Sequence, residues 1–240
     1  MKAFAFTLAI IALSQLGWAA GEPEIINEVP KHIYIPSGFD NNDNAQLVFE
    51  GEFTNSCYRT GVTNYFVNDN TKTITVENKV QFYSNQMCLM VIMHYKKELN
   101  LGVVEEGNYK VEFASSNGPN REMGVMNINP ARTDSADDVL YAPVQSATYN
   151  KADKVLSLKG NFSNSCLRLE NVITRRPAAP NNNVIEVLPQ AKLLDAADCE
   201  AQLGDYPFTH AVSLENAGTG RVLVHIRSLN GQAVNLIENL

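Results

Sequence analysis

Gly51-Glu52-Phe53-Thr54-Asn55-Ser56-Cys57-Tyr58-Arg59 returns later in the chain as Gly160-Asn161-Phe162-Ser163-Asn164-Ser165-Cys166-Leu167-Arg168. Six of the nine positions are identical, which in one chain of 240 residues points to duplication rather than chance. The repeat spreads outward on both sides. Upstream, Leu47, Phe49, Gly51 and Phe53 alternate with Val48, Glu50 and Glu52; Leu156, Leu158, Gly160 and Phe162 alternate with Ser157, Lys159 and Asn161. Period two with one polar face predicts a half-buried antiparallel strand in each copy. The mid-strand glycine predicts a bulge or a close backbone approach. The Asn-Ser that follows fits a turn closed by side-chain to backbone hydrogen bonds.

Downstream, Ile74/Ile185, Val76/Val187, Val80/Ala191 and Phe82/Leu193 correspond at a constant offset, as do Gly107/Gly220 and Asn117-Gly118/Asn230-Gly231 further on. Asn-Gly between strands is a hairpin signal. The expected opening strands are His32-Ile33-Tyr34-Ile35-Pro36 and Leu140-Tyr141-Ala142-Pro143, aligned through Tyr34/Tyr141 and Pro36/Pro143. The run Asp40-Asn41-Asn42-Asp43-Asn44 reads as a turn. It lacks the glycine and glutamate that a calcium loop places at its sixth and twelfth positions.

The cysteines, Cys57, Cys88, Cys166 and Cys199, fall two to a copy, 31 and 33 residues apart. Four cysteines allow three pairings. A module copied as a unit folds as a unit, which selects Cys57–Cys88 and Cys166–Cys199. Each bridge is then worth roughly 3–4 kcal/mol in the chain-entropy view. A zinc site does not fit, because the cysteines are not in C-x2-C pairs and no histidine stands at ligand spacing.

The expected organisation is a signal peptide over residues 1–20, a linker over 21–30, one repeat over 31–129, a second linker over 130–138 and the other repeat over 139–240. Lys2 followed by an apolar run to Leu13 and the small residues Gly17, Ala19 and Ala20 carries the signal-peptide reading. No later stretch is apolar and long enough for a membrane span. The fold class expected is all-β, a tandem repeat of two antiparallel β-sandwich domains of about seven strands, each with one intradomain disulfide. By strand count and turn spacing the nearest architecture is immunoglobulin-like. The resemblance is at the level of fold: no tryptophan follows Trp18, and the cysteine interval is near thirty, so the bridge joins different strands from the antibody pair or a strand to a loop.

A net charge of −7 and a pI near 5.1 argue against nucleic-acid binding, which needs clustered lysine and arginine. Recurring positions hold Cys, Gly, Asn, apolar residues and one Arg, all scaffold types. His32, His94, His210 and His225 have no histidine counterparts and read as surface or strand-edge imidazoles. No nucleophile elbow, zinc-protease motif or phosphate loop is present, and no cofactor is implied. The expected function is therefore non-enzymatic: a secreted or periplasmic binding or assembly protein of the bacterial cell envelope, its partner an unknown protein or envelope component. Candidate binding residues are Arg59 and Arg168, two positions past a bridge cysteine, and Arg175 and Arg176, which open the stiff loop Arg175–Asn183. The alternatives are a secreted protease or hydrolase inhibitor using that loop, and an enzyme with an unrecognised site.

Overall fold

In the computed structural model, residues 22–195, 199 and 202–240 are described; the signal-peptide reading lies outside them. The first half contributes β1 (Glu24–Asn27), β2 (His32–Tyr34), β3 (Phe39–Asp40), β4 (Ala45–Phe53), β5 (Tyr58–Asn68), β6 (Thr73–Phe82), β7 (Met93–Gly102), β8 (Gly107–Phe113) and β9 (Arg121–Asn129). The second contributes β10 (Val144–Asn150), β11 (Val155–Asn164), β12 (Leu167–Arg175), β13 (Val184–Leu193), β14 (Leu203–Ser213), β15 (Arg221–Ser228) and β16 (Gln232–Asn239). The described residues are all-β, with one 3-10 turn among them at Leu229–Gly231.

Each half is a pair of sheets. The three-stranded sheets run β2-β4-β7 and β10-β11-β14. The facing sheets run β5-β6-β8-β9, extended by β1 and β3, and β12-β13-β15-β16. Strand order is thus the same in both. So is one departure from the expected antiparallel pattern: β6 pairs parallel with β8, and β13 parallel with β15. An immunoglobulin sheet holds antiparallel neighbours at that place. The chain reaches the parallel neighbour because β7 and β14 cross to the opposite sheet in between, which supplies the long connection a parallel pair needs.

Period-two patterning fills one core between the sheets of each half. Leu47, Phe49, Phe53 and Leu99 meet Ile74, Val76, Val111 and Phe113 in the first. Leu156, Leu158 and Val212 meet Ile185, Val187, Val224 and Ile226 in the second. The two mid-strand glycines answer to one device. Gly51 lies opposite Tyr95 and Gly160 opposite Phe208 in the cross-strand register. A Cβ on Gly51 would stand 2.4 Å from the Tyr95 hydroxyl, and one on Gly160 would stand 2.2 Å from the Pro143 carbonyl oxygen. An aromatic ring laid across a glycine recovers the packing that the missing side chain gives up.

Three strands break the alternation. β4, β13 and β15 are buried on both faces, whereas their positional counterparts β11, β6 and β8 alternate between buried and more exposed residues. The outer face of β4 was expected to meet water. Instead it carries Val48, which packs with Tyr34 against Val184 and Leu223 of the second half. The four sheets therefore stack in four layers, with the β2-β4-β7 sheet laid on the β12-β13-β15-β16 sheet. Each apolar side chain in that seam contributes about 1.5–3 kcal/mol over its exposed state, before ordering costs.

Two of the expected readings at the boundaries need correction. Glu24–Asn27 is strand β1 on β6, so residues 21–30 are not simply a linker. The alignment of Tyr34 with Tyr141 is displaced by seven residues: Tyr34 pairs with Val48, whereas Thr148 pairs with the corresponding Ser157. Tyr141 bridges Gln190 in the other sheet. The segment after β2 then carries the short strand β3, which the second half lacks, so the Asp40–Asn44 turn has no counterpart at Asn150–Asp153. Residues 130–138, expected as a linker, lack regular structure and are held at two points, as Ala131 N–H donates to Asn41 (2.8 Å) and Gly231 N–H to Asp137 (3.2 Å).

Candidate functional site

The seam between the halves gathers most of the buried charge. Strand β4 aims Glu50 across it at Arg221 of β15, a two-pronged pair, and the Tyr34 hydroxyl donates to the same carboxylate at 2.7 Å. Burial pushes the Glu50 carboxyl up, but the Arg221 and Tyr34 hydrogen bonds more than offset it, leaving its pKa below the usual value. At one flank Glu186 accepts from Arg175 and from the Ser37 hydroxyl (2.7 Å). At the other, Arg227 donates to Asp43 (3.2 Å) and to the Gly38 carbonyl (2.7 Å), with its guanidinium 4.7 Å from the centre of the Phe39 ring. Asn235 donates to Gln46 (2.9 Å) and Glu98 (3.0 Å). Asn183 and Asn181 reach across to the carbonyls of Ile33 and Val125.

Deep in this seam lies His225, 1% exposed, which corrects the expectation of a surface imidazole. Its Nδ1 is 2.8 Å from Asn235 Oδ1, and Nε2 has no protein partner. Burial first, and then the charge of Arg227, lower its pKa to about 4 against the Asn235 hydrogen bond. Asp43 is raised by burial despite Arg227, and Asp137 is raised by burial as well. His225, Arg227, Asp43 and Asp137 line a common cavity of about 10 Å³. That volume admits one water and no substrate. A more open cleft of about 290 Å³ lies over Lys31, His32, Glu52, His94 and Arg221, but Lys31 and His94 are already paired with Glu52 at 2.9 and 3.4 Å. Among the described residues, no group of three or more His, Cys, Asp or Glu is placed to hold a metal ion.

The repeated nonapeptide builds a second feature. Asn55 and Asn164 each accept from the cysteine N–H two residues on, at 3.0 and 2.7 Å, closing the turn. The bridges are Cys57–Cys88 and Cys166–Cys199. Cys57 precedes β5 and Cys88 precedes β7, so the first bridge ties together two crossings between the sheets. Ser56 completes the staple: its N–H donates to the Leu89 carbonyl (3.0 Å) and its hydroxyl accepts from the Leu89 N–H (2.8 Å). Ser165 makes the same two bonds with Gln202, each at 3.1 Å. What the first staple holds is unusual. Met87 is 95% exposed, Met90 81%, and Leu89, Val91 and Ile92 are all exposed as well. Exposed large apolar residues seldom stand together in such a run on a protein surface.

The four arginines singled out from the sequence are not brought together. Arg59 folds back onto the carbonyls of Ser56 (2.6 Å) and Tyr58 (3.0 Å), and Arg168 is exposed on β12. Arg175 is committed to Glu186, while Arg176 donates to the carbonyls of Asn182 and Ala217. The seam groups Glu50, Glu186, His225 and Arg227 and the apolar loop were missed. The sequence did carry a signal for the loop: six uncharged residues, Met87 to Ile92, beginning beside a bridge cysteine.

With this geometry in view, comparison with known families adds one finding. Residues 47–125 match the ORF11 beta-sandwich domain. The match covers about a third of the chain, from β4 into β9, and so includes the first disulfide and the stapled loop. No curated protein and no solved structure matches. Among the described residues, no helix is long and apolar enough to cross a membrane.

Proposed function

We propose that the chain is a non-enzymatic binding or assembly protein of the cell envelope, exported as a secreted or periplasmic form, in which two copies of one β-sandwich module are stacked into a single body. Duplication is supported by the common strand order, the parallel pair in each half, the paired cysteines and the recurrent glycine–aromatic contact. The modules are immunoglobulin-like in setting a three-stranded sheet against a larger one, and differ from that fold in the parallel pair. Two disulfides suit an oxidising compartment.

The observation that carries the binding reading is the stapled loop Met87–Ile92, five of whose residues are large, apolar and exposed. Its test is capture from envelope extract by the mature protein and by a variant carrying Leu89→Ser, Met90→Ser and Ile92→Ser. A partner set held by the native protein and lost by the variant is expected. The same set recovered by both removes the loop from the function. The inhibitor alternative has less support, because the guanidiniums of Arg175 and Arg176 are spent on internal contacts.

A further inference from the structure

We infer that the stapled loop docks into an uncharged, apolar cleft of another protein rather than into a lipid surface. This rests on the binding reading above and names the kind of partner. The first support is charge. Tyr83 to Met93 and Phe53 to Tyr58 contain no Asp, Glu, Lys, Arg or His, although 45 of the 240 residues are charged. Arg59, which follows the second of these segments, is turned onto local carbonyls. A bilayer-seeking loop carries a basic collar beside its apolar residues, and gains from anionic headgroups. This loop has no such collar, on a chain of net charge −7. The fully buried core of a protein interface has the opposite profile: depleted of charge, enriched in methionine and aromatic residues. Met87 and Met90 both stand exposed on the loop, and methionine adapts to the shape of a groove.

The second support is internal. The other half uses the same Asn-Ser-Cys turn and the same serine staple, but the residues around its second cysteine are Asp195-Ala196-Ala197-Asp198-Cys199-Glu200. The scaffold therefore does not require an apolar loop at this place. Stapling also matters to affinity. Two hydrogen bonds and a disulfide hold the loop in place before it meets anything, so less ordering entropy is lost on docking.

The test places a photo-crosslinking residue at Met90 of the full exported chain, in cells, and in parallel mixes purified protein with vesicles of pure phosphatidylcholine and of phosphatidylcholine with phosphatidylglycerol. The expected result is one discrete protein adduct, reduced about tenfold or more by Leu89→Ser with Ile92→Ser, and no sedimentation with either vesicle. These exposed substitutions should leave the fold intact, checked by disulfide mapping and an unchanged Tm. Loop-dependent sedimentation with vesicles would overturn the inference while leaving the binding reading in place. An adduct of twice the chain's mass would identify a second copy of an acidic chain and would also overturn it. No adduct and no vesicle binding would remove both readings.

Discussion

Replacing Arg227 by methionine probes the seam at its most buried ion pair. The side chains of Arg227 and Asp43 are 9% and 5% exposed. Methionine keeps much of the apolar stem but leaves the Asp43 carboxylate in a low-dielectric site with only the Asp40 N–H (3.2 Å) as donor, its Oδ1 already lacking a partner. Removing one member of a buried pair costs about 3–5 kcal/mol. That range includes the lost bond to the Gly38 carbonyl and the contact with the Phe39 ring. The sign with pH is fixed by Asp43. Burial raises its pKa even in the native protein, and loss of Arg227 removes the main opposing influence. A carboxyl with a raised folded pKa favours the folded state below its unfolded pKa and loses that benefit as pH rises through the folded value. The deficit of the variant is therefore greatest at neutral pH and shrinks on acidification toward pH 4. Adding Asp43→Asn to Arg227→Met should recover about 2 kcal/mol or more at pH 7. The assay is denaturant unfolding with both disulfides intact, at pH 7 and pH 4.5. A deficit below about 1 kcal/mol, the same at both pH values and not relieved by the double variant, would refute a buried pair at this place.

Other expectations follow from individual contacts. His225, with its pKa lowered to about 4, contributes stability that is lost as pH falls from about 6.5 toward 4, a change of order 3 kcal/mol; His225→Gln should flatten that part of the pH–stability curve. Replacing Cys166 and Cys199 together by serine should lower the unfolding free energy by about 3–4 kcal/mol in the same assay, and an effect under about 1 kcal/mol would remove the bridge from the ledger of that half. Gly160→Ala and Gly51→Ala should each destabilise by about 1–3 kcal/mol, since a Cβ meets the Pro143 carbonyl at the first and, at the second, a Tyr95 ring held by stacking on Phe53 and by the Asn78 amide; no cost at either would count against the packing described.

The nonapeptide was readable because each of its residues acts locally. Asn55 closes its own turn, Cys57 takes its bridge within its own half, and Gly51 faces the strand beside it. The Asn230-Gly231 signal was sound for the same reason: both residues adopt positive φ, 62° and 65°, in the three-residue connection Leu229–Gly231 that turns β15 into β16. What escaped was set by contacts between distant segments. Val48 and Glu50 look like the water-facing side of a strand until β15 is laid over them. A closer sign was present in the differences between the two halves. Val48 and Glu50 correspond to Ser157 and Lys159, while Val184, Leu223 and His225 correspond to Thr73, Lys110 and Glu112. Each seam position is more apolar, or oppositely paired, than its counterpart on a free face. Continuous apolar runs such as Val222-Leu223-Val224 also indicate burial on both faces. Arg175 misled because a guanidinium at the end of a strand looks alike in a sequence whether it meets a ligand or Glu186.

The stacking of the two sandwiches through β4 and β15 is tested most directly by methyl–methyl nuclear Overhauser contacts in the intact chain. Val48 should show cross-peaks to Leu223 and Val184, which share its apolar cluster at the seam. Cross-peaks from Val48 to residues of its own half alone, with Val48→Asp leaving stability unchanged, would contradict a face-to-face seam.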